Sequence, residues 1–217
     1  MENTASANPA SKLILEPMDL HNQSQFGELL RQRIVCGWHN TASAIEQWRT
    51  EADAGARAMF WVVPQKLSYL EAPQRWGGHI GMLNQTSPPD LELANPDKSI
   101  LHIASLFIYP EHRGGGIGRA AVEALEGWAK VEPYGSPSCK WITIHTLHRG
   151  YIEDDGEEWR GIWKKFGQSP PEKGTGNEDW YLRMGYVKWK EAPKYQEKFP
   201  DGTEVTLLAS YLRKSLS

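Results

Sequence analysis

The stretch from Ile100 to Ala129, ILHIASLFIYPEHRGGGIGRAAVEALEGWA, decides the fold. Its first half is an apolar run that reads as a strand and breaks at Tyr109-Pro110. Its second half restarts as a helix behind Arg113-Gly114-Gly115-Gly116-Ile117-Gly118. Glycines let the backbone turn sharply and approach a ligand closely, and the first turn of the helix behind them leaves N–H groups unpaired at the positive end of its dipole. Phosphate is the natural guest of such a junction. A glycine-rich turn without function is disfavoured, because ordering three consecutive glycines costs backbone entropy that demands a return.

Spacing narrows the choice of phosphate. A P-loop requires Gly-Lys-Ser/Thr, but Arg119 and Ala120 follow Gly118, so no hydroxyl is offered to Mg²⁺. The segment Gly116-Ile117-Gly118-Arg119-Ala120-Ala121 comes closer to the dinucleotide fingerprint. Its context fails, because Tyr109 to Arg113 separate the strand from the glycines and the next strand, Lys140 to Thr146, ends in His145-Thr146 without an acidic ribose ligand.

What remains is Arg-x-x-Gly-x-Gly at Arg113, Gly116 and Gly118, behind a strand end carrying Leu106, Ile108 and Pro110. This resembles the acetyl-CoA site of the GCN5-related N-acetyltransferases (GNAT). The resemblance implies that Leu106, Phe107 and Ile108 hold the pantetheine arm of acetyl-CoA, and that Arg113, Gly114, Gly115, Gly116, Ile117 and Gly118 hold its phosphates. Trp180-Tyr181-Leu182-Arg183-Met184-Gly185-Tyr186 resembles a second family segment, a short helix that stops at glycine before a strand. The two motifs stand in the family's order and together cover about Ile100 to Lys190.

With 217 residues and no dividing linker, the chain reads as one domain. Residues 1–11 are expected as a disordered tail and 12–217 as one GNAT-like domain with an insertion at about 147–179. The expected fold class is α/β (α+β): a central, mostly antiparallel sheet of six or seven strands, helices on both faces, split beside Ile100 to Ile108 so that the cofactor can wedge in. A net charge of −3 provides no general attraction to nucleic acid or anionic lipid, so anion recognition must be local. No apolar run reaches membrane-spanning length. Cys36 and Cys139 lack metal-ligand spacing, which points to reduced thiols and a cytoplasmic setting, and Met1 to Ser11 is unlike a transit peptide.

Elsewhere, Lys12 to Glu16 reads as a strand, and Asp19 to Val35 as a helix with Phe26, Leu29, Leu30, Arg33 and Ile34 on its inner face. A second helix fits Thr41 to Ala54, capped by Thr41 or Ser43, with Ile45 and Trp48 inward. Met59 to Val63 and Gly78 to Leu83 read as strands, Trp159 to Phe166 as a short helix, and Tyr186 to Lys190 and Val205 to Tyr211 as closing strands joined through Pro193, Pro200 and Gly202.

Acetyl transfer to an amine asks the chain to hold the thioester, polarise its carbonyl and manage two protons. The resemblance implies the Ile108 N–H for the carbonyl and Tyr181, four residues before Gly185, as the acid that protonates the departing sulfur. Tyr186 and Tyr151 are alternatives. His102, eleven residues before Arg113, stands where relatives carry a base, and a histidine can deprotonate the amine directly or through water. His145 on the next strand is the competing base. The run Glu153, Asp154, Asp155, Glu157 and Glu158 is either a cationic-amine attractor or a solvated face. No metal ligand set is visible.

The expected function is therefore acetyl-CoA-dependent N-acetylation of a primary amine, of a small molecule, by direct attack in a ternary complex. Acetylation of a protein N-terminus or lysine is the alternative, and a non-catalytic acyl-CoA-binding module the alternative of another class. Expected partners are acetyl-CoA and the amine, without nucleic acid or membrane, the chain being a monomer or homodimer.

Overall fold

The computed structural model describes residues 12–216, so the expected tail over residues 1–11 lies outside the described residues. The chain divides into two compact units, one ending at Cys139 and the other beginning at Lys140.

The first unit contains β1 (Leu13–Pro17), α1 (Gln23–Cys36), α2 (Ala42–Asp53), β2 (Arg57–Pro64), β3 (Gly78–Leu83), β4 (Ile100–Ile108) and α3 (Ile117–Trp128). β1 to β4 pair antiparallel in chain order. β2 is buried on both sides because its alternate residues serve two layers. Met59, Trp61 and Val63 join Phe26, Leu29, Ile45 and Trp48 of α1 and α2. Phe60 turns the other way, its ring 5.6 Å from that of Trp128 on α3. Within this unit, then, helices cover both faces.

Local chemistry sets the helix ends. The Asn22 side chain accepts from Ser24 and Gln25 N–H at the start of α1, Gly37 in the left-handed region stops it, and Thr41 caps α2 by accepting from Ala44 N–H. The inner face of α1 differs from the sequence reading. Arg33 is buried beside Leu29 as expected, but Ile34 is exposed and Glu28 and Gln32 are buried in addition. Polar partners reach these positions from β3, as described below, so apolar periodicity alone misplaced the face.

The second unit contains β5 (Trp141–Leu147), α4 (Gly150–Glu153), α5 (Ile162–Lys165), α6 (Asn177–Leu182), β6 (Val187–Lys198) and β7 (Glu204–Ser215). β7 pairs antiparallel with both β5 and β6. β6 runs well past Lys190 and through Pro193, where the register with β7 shifts. The sequence places Pro193 in a loop, but an edge strand tolerates a missing N–H donor at an irregularity, so the turn closes only at Phe199 to Thr203. The segment between β5 and α6 packs Trp159, Trp163 and Phe166 on the β6–β7 hairpin through Tyr195, Phe199 and Leu207. No helix among the described residues is long and apolar enough to cross a membrane.

Candidate active site

β4 carries a bulge. Ala104 faces Gly81 and Phe107 faces His79, and Ser105 between them has φ 60°, a left-handed value in a non-glycine residue. Beyond the bulge, Tyr109 N–H donates to the Gly77 carbonyl at 3.0 Å. Because an antiparallel ladder alternates its bonds, the preceding Ile108 N–H and carbonyl point to the other side of β4, away from β3. The Ile108 carbonyl accepts from Arg113 Nε at 2.9 Å, and the Arg113 guanidinium lies 5.9 Å from the Phe107 ring centroid. Phe107 and Ile108 are buried and Leu106 is half-buried.

After one turn at Pro110–His112, Gly114, Gly115 and Gly116 take φ values of 83°, 56° and 81°. A Cβ at Gly114 or Gly115 would meet no atom within 4 Å, so backbone conformation rather than crowding demands glycine there. Gly116 is the N-cap of α3 and has no side chain to satisfy the first turn. The N–H groups of Gly114, Gly115, Gly116 and Gly118 meet no acceptor among the described residues. Lys12 Nζ donates to the Gly115 carbonyl at 3.0 Å, bringing an ammonium to the loop. Unpaired amides in a left-handed turn, a helix N-terminus and an adjacent cation suit a pyrophosphate. Lys12 was not singled out in the sequence, because 103 residues separate it from its partner.

His102 is buried on β4 opposite Leu83, which itself lies opposite Arg57. Residues opposite one another share a face, so His102 is on the side of the sheet that carries Arg57, Met59 and Trp61, the side covered by α1 and α2. On that side a buried chain of hydrogen bonds runs from α1 to β3. Gln32 Nε2 donates to Glu28 Oε1 (3.0 Å), His79 Nδ1 donates to Gln32 Oε1 (2.7 Å), and His79 Nε2 accepts from Arg33 Nη1 (3.4 Å). The direction of these bonds keeps His79 neutral, and burial, helped by Arg33, pushes its pKa well below the usual histidine value. His79 stacks on Phe107, whose ring also meets Tyr109 edge-on. The Tyr109 hydroxyl donates to Glu28 (3.2 Å), and burial together with that carboxylate raises its pKa to about 12. The strand end is thus held by side chains from α1.

In the second unit Tyr181 is buried on α6, its ring 4.7 Å from Trp180 and 5.3 Å from Tyr186. Gly185, at φ 88°, ends the segment, with Tyr186 N–H returning to the Tyr181 carbonyl. Glu178, one turn earlier and fully buried, accepts from Arg149 N–H and Ser210 Oγ, both at 2.7 Å, and pairs with Lys188 at 3.0 Å. Burial opposes its ionisation, but these donors prevail and its pKa is lowered. It fixes α6, and so Tyr181, on β7; no sequence signal singles it out, because its partners Arg149, Ser210 and Lys188 come from elsewhere in the chain. His145 lies opposite Tyr211 and meets Tyr195 and Tyr211 edge-on, each at 5.9 Å. Tyr151 is buried, its hydroxyl accepting from Leu208 N–H. Part of the acidic run is engaged within its own segment: Asp155 pairs with Lys173 (2.8 Å) and Arg160, and Glu153 accepts from Gly174 N–H. Among the described residues no group of His, Cys, Asp or Glu is arranged to hold a metal ion.

Residues 32–147 match the model of the acetyltransferase (GNAT) family. Comparison with curated proteins finds no match. Among solved structures, the aminoglycoside 6'-N-acetyltransferase from Enterococcus faecium aligns over 94% of this chain and 97% of its own, with a TM-score of 0.59 and 17% identity. Arabidopsis thaliana NAA60 in complex with acetyl-CoA aligns over 94% and 98%, with a TM-score of 0.58 and 12% identity. A Vibrio cholerae spermidine N-acetyltransferase SpeG chimera aligns over 94% and 96%, with a TM-score of 0.56 and 12% identity. At such identities the likeness is one of fold.

Proposed function

Since the chain belongs to the acetyltransferase (GNAT) family, and is an acyltransferase with acetyl-CoA as co-substrate, we propose that it acetylates the primary amine of a small molecule by direct attack in a ternary complex. Acetyl-CoA supplies an activated acyl group, and the chain must position it and move protons. Gly114 to Gly118, with Lys12 and Arg113, hold the phosphates through amides and cations. The Ile108 N–H, directed away from β3, polarises the acyl carbonyl. His102 takes the amine proton, with His145 the alternative, and Tyr181 gives a proton to the sulfur. The packed insertion, which builds Trp159 and Trp163 onto the β6–β7 hairpin, favours a small acceptor over a protein chain.

The observation that carries this reading is the run of three left-handed glycines with unpaired amides ahead of an uncapped helix. Gly116→Val forces a β-branched residue to φ near 81° and places its Cβ about 3.1 Å from Lys12 Nζ. Calorimetric titration should show acetyl-CoA binding weakened about tenfold or more, with the fold retained. Unchanged affinity in a folded Gly116→Val protein would move the cofactor elsewhere.

A further inference from the structure

The face of the first unit that carries His102 also holds an unmatched buried cation. Arg33 is only 3% exposed, yet no carboxylate pairs with it among the described residues. The acids nearby are committed: Glu28 pairs with Arg31 at 2.8 Å and Glu51 with Arg57 at 2.7 Å. Arg33 itself donates Nε to the Trp38 carbonyl (2.8 Å) and Nη1 to neutral His79 (3.4 Å). These are dipoles, and they leave a full charge in a desolvated place.

A second guanidinium stands beside it. The Cζ atoms of Arg33 and Arg57 lie 5.3 and 4.6 Å from the centroid of the Trp48 ring, which puts the two cations within about 10 Å of each other. The Nη2 groups of both meet no acceptor among the described residues. Burial lowers both arginine pKa values, and burial with these two cations lowers that of His39, which packs on the same indole. Arg57 feels the charge of Arg33, and His39 that of both arginines, a repulsion that a bound anion would relieve. Arg57, Leu83 and His102 stand in one row across β2, β3 and β4, so the Arg57 and His102 backbones are two strand spacings, about 10 Å, apart.

We propose that Arg33 and Arg57 form an anion subsite against Trp48, and that the acceptor is an amine bearing a carboxylate or phosphate that seats there while its amino group is presented toward His102. Guanidinium groups suit both anions, binding them through paired N–H donors. The subsite rests on the acetyltransferase reading for its purpose but not for its existence.

Matched acceptors test it: hexylamine against ε-aminocaproate for carboxylate, and glucosamine against its phosphate monoester for phosphate. In at least one pair the anionic member should be preferred about tenfold in kcat/KM, as expected for a desolvated charge-assisted contact. Arg57→Gln should bring that ratio close to one, and Arg57→Lys should restore part of it. No preference in either pair, or a preference that survives Arg57→Gln, overturns the proposal. Should no amine release CoA, the acetyltransferase reading itself fails, and the subsite is judged on the CoA-saturated wild-type protein titrated with inorganic phosphate. Saturable shifts of the Arg33 and Arg57 Nε–H resonances then uphold the anion site, and resonances that stay put refute it.

Discussion

Single residues carry the chemistry, and each carries a distinct expectation. Lys12 donates to the Gly115 carbonyl from an exposed position, so in the proposed site its charge would add to phosphate binding without supporting the core. Lys12→Met should weaken acetyl-CoA binding by a factor of about two to ten, and more at low salt than at high, as titrations at two ionic strengths will show. His79 makes a different kind of statement. Its pKa in the fold lies well below that of an unfolded histidine, so the native protein stays neutral there while the unfolded chain takes up a proton. Above about pH 6.5 this contributes no pH dependence; as pH falls below that value, stability is lost at up to about 1.4 kcal/mol per pH unit until the folded value is reached. Denaturation midpoints at about pH 7 and about pH 5.5 should therefore converge in His79→Gln relative to wild type. Identical pH dependence in the two proteins would contradict the neutral assignment. His102 is read as base for the amine, and its test is the acid limb of kcat/KM with acceptors of graded pKa, which should lose its enzyme-borne inflection in His102→Ala.

At the level of elements, α6 owes its position to a buried carboxylate rather than to its own six residues, too few to be stable alone. Glu178→Ala would leave Ser210 Oγ, Arg149 N–H and Lys188 without their shared acceptor, costing about 3 kcal/mol. Turnover should fall with it as Tyr181 loosens, while acetyl-CoA affinity holds; hydrogen exchange across residues 177–186 checks the loosening. What was legible in the sequence shared one property, that cause and effect were close along the chain. The strand break at Pro110, the glycines before α3, the Thr41 cap and the Gly185 stop are all local backbone demands. The Ser105 bulge was not legible, since serine has no intrinsic call for φ near 60° and only pairing with β3 imposes it. Nor was the inward turn of Glu28 and Gln32, whose partners Tyr109 and His79 lie far along the chain. The length of β6 escaped because Pro193 signals a turn unless the strand is an edge.

For the whole molecule, family and fold followed from two short motifs in the right order, whereas the acceptor is a property of packing that no motif records. The aromatic packing between β5 and α6 and the arginine pair on Trp48 are the two features from which the proposals about the amine are argued. The central claim is that the protein uses its cofactor for amine acetylation, with Tyr181 as the acid. It is tested most directly by measuring CoA release over a panel of amines with wild type and Tyr181→Phe, alongside acetyl-CoA affinity for both. The expected result is amine-dependent release by wild type, a loss of roughly a hundred- to ten-thousand-fold in Tyr181→Phe, and nearly equal acetyl-CoA affinity. Tight acetyl-CoA binding with no release from any amine, or wild-type turnover in Tyr181→Phe, would contradict it.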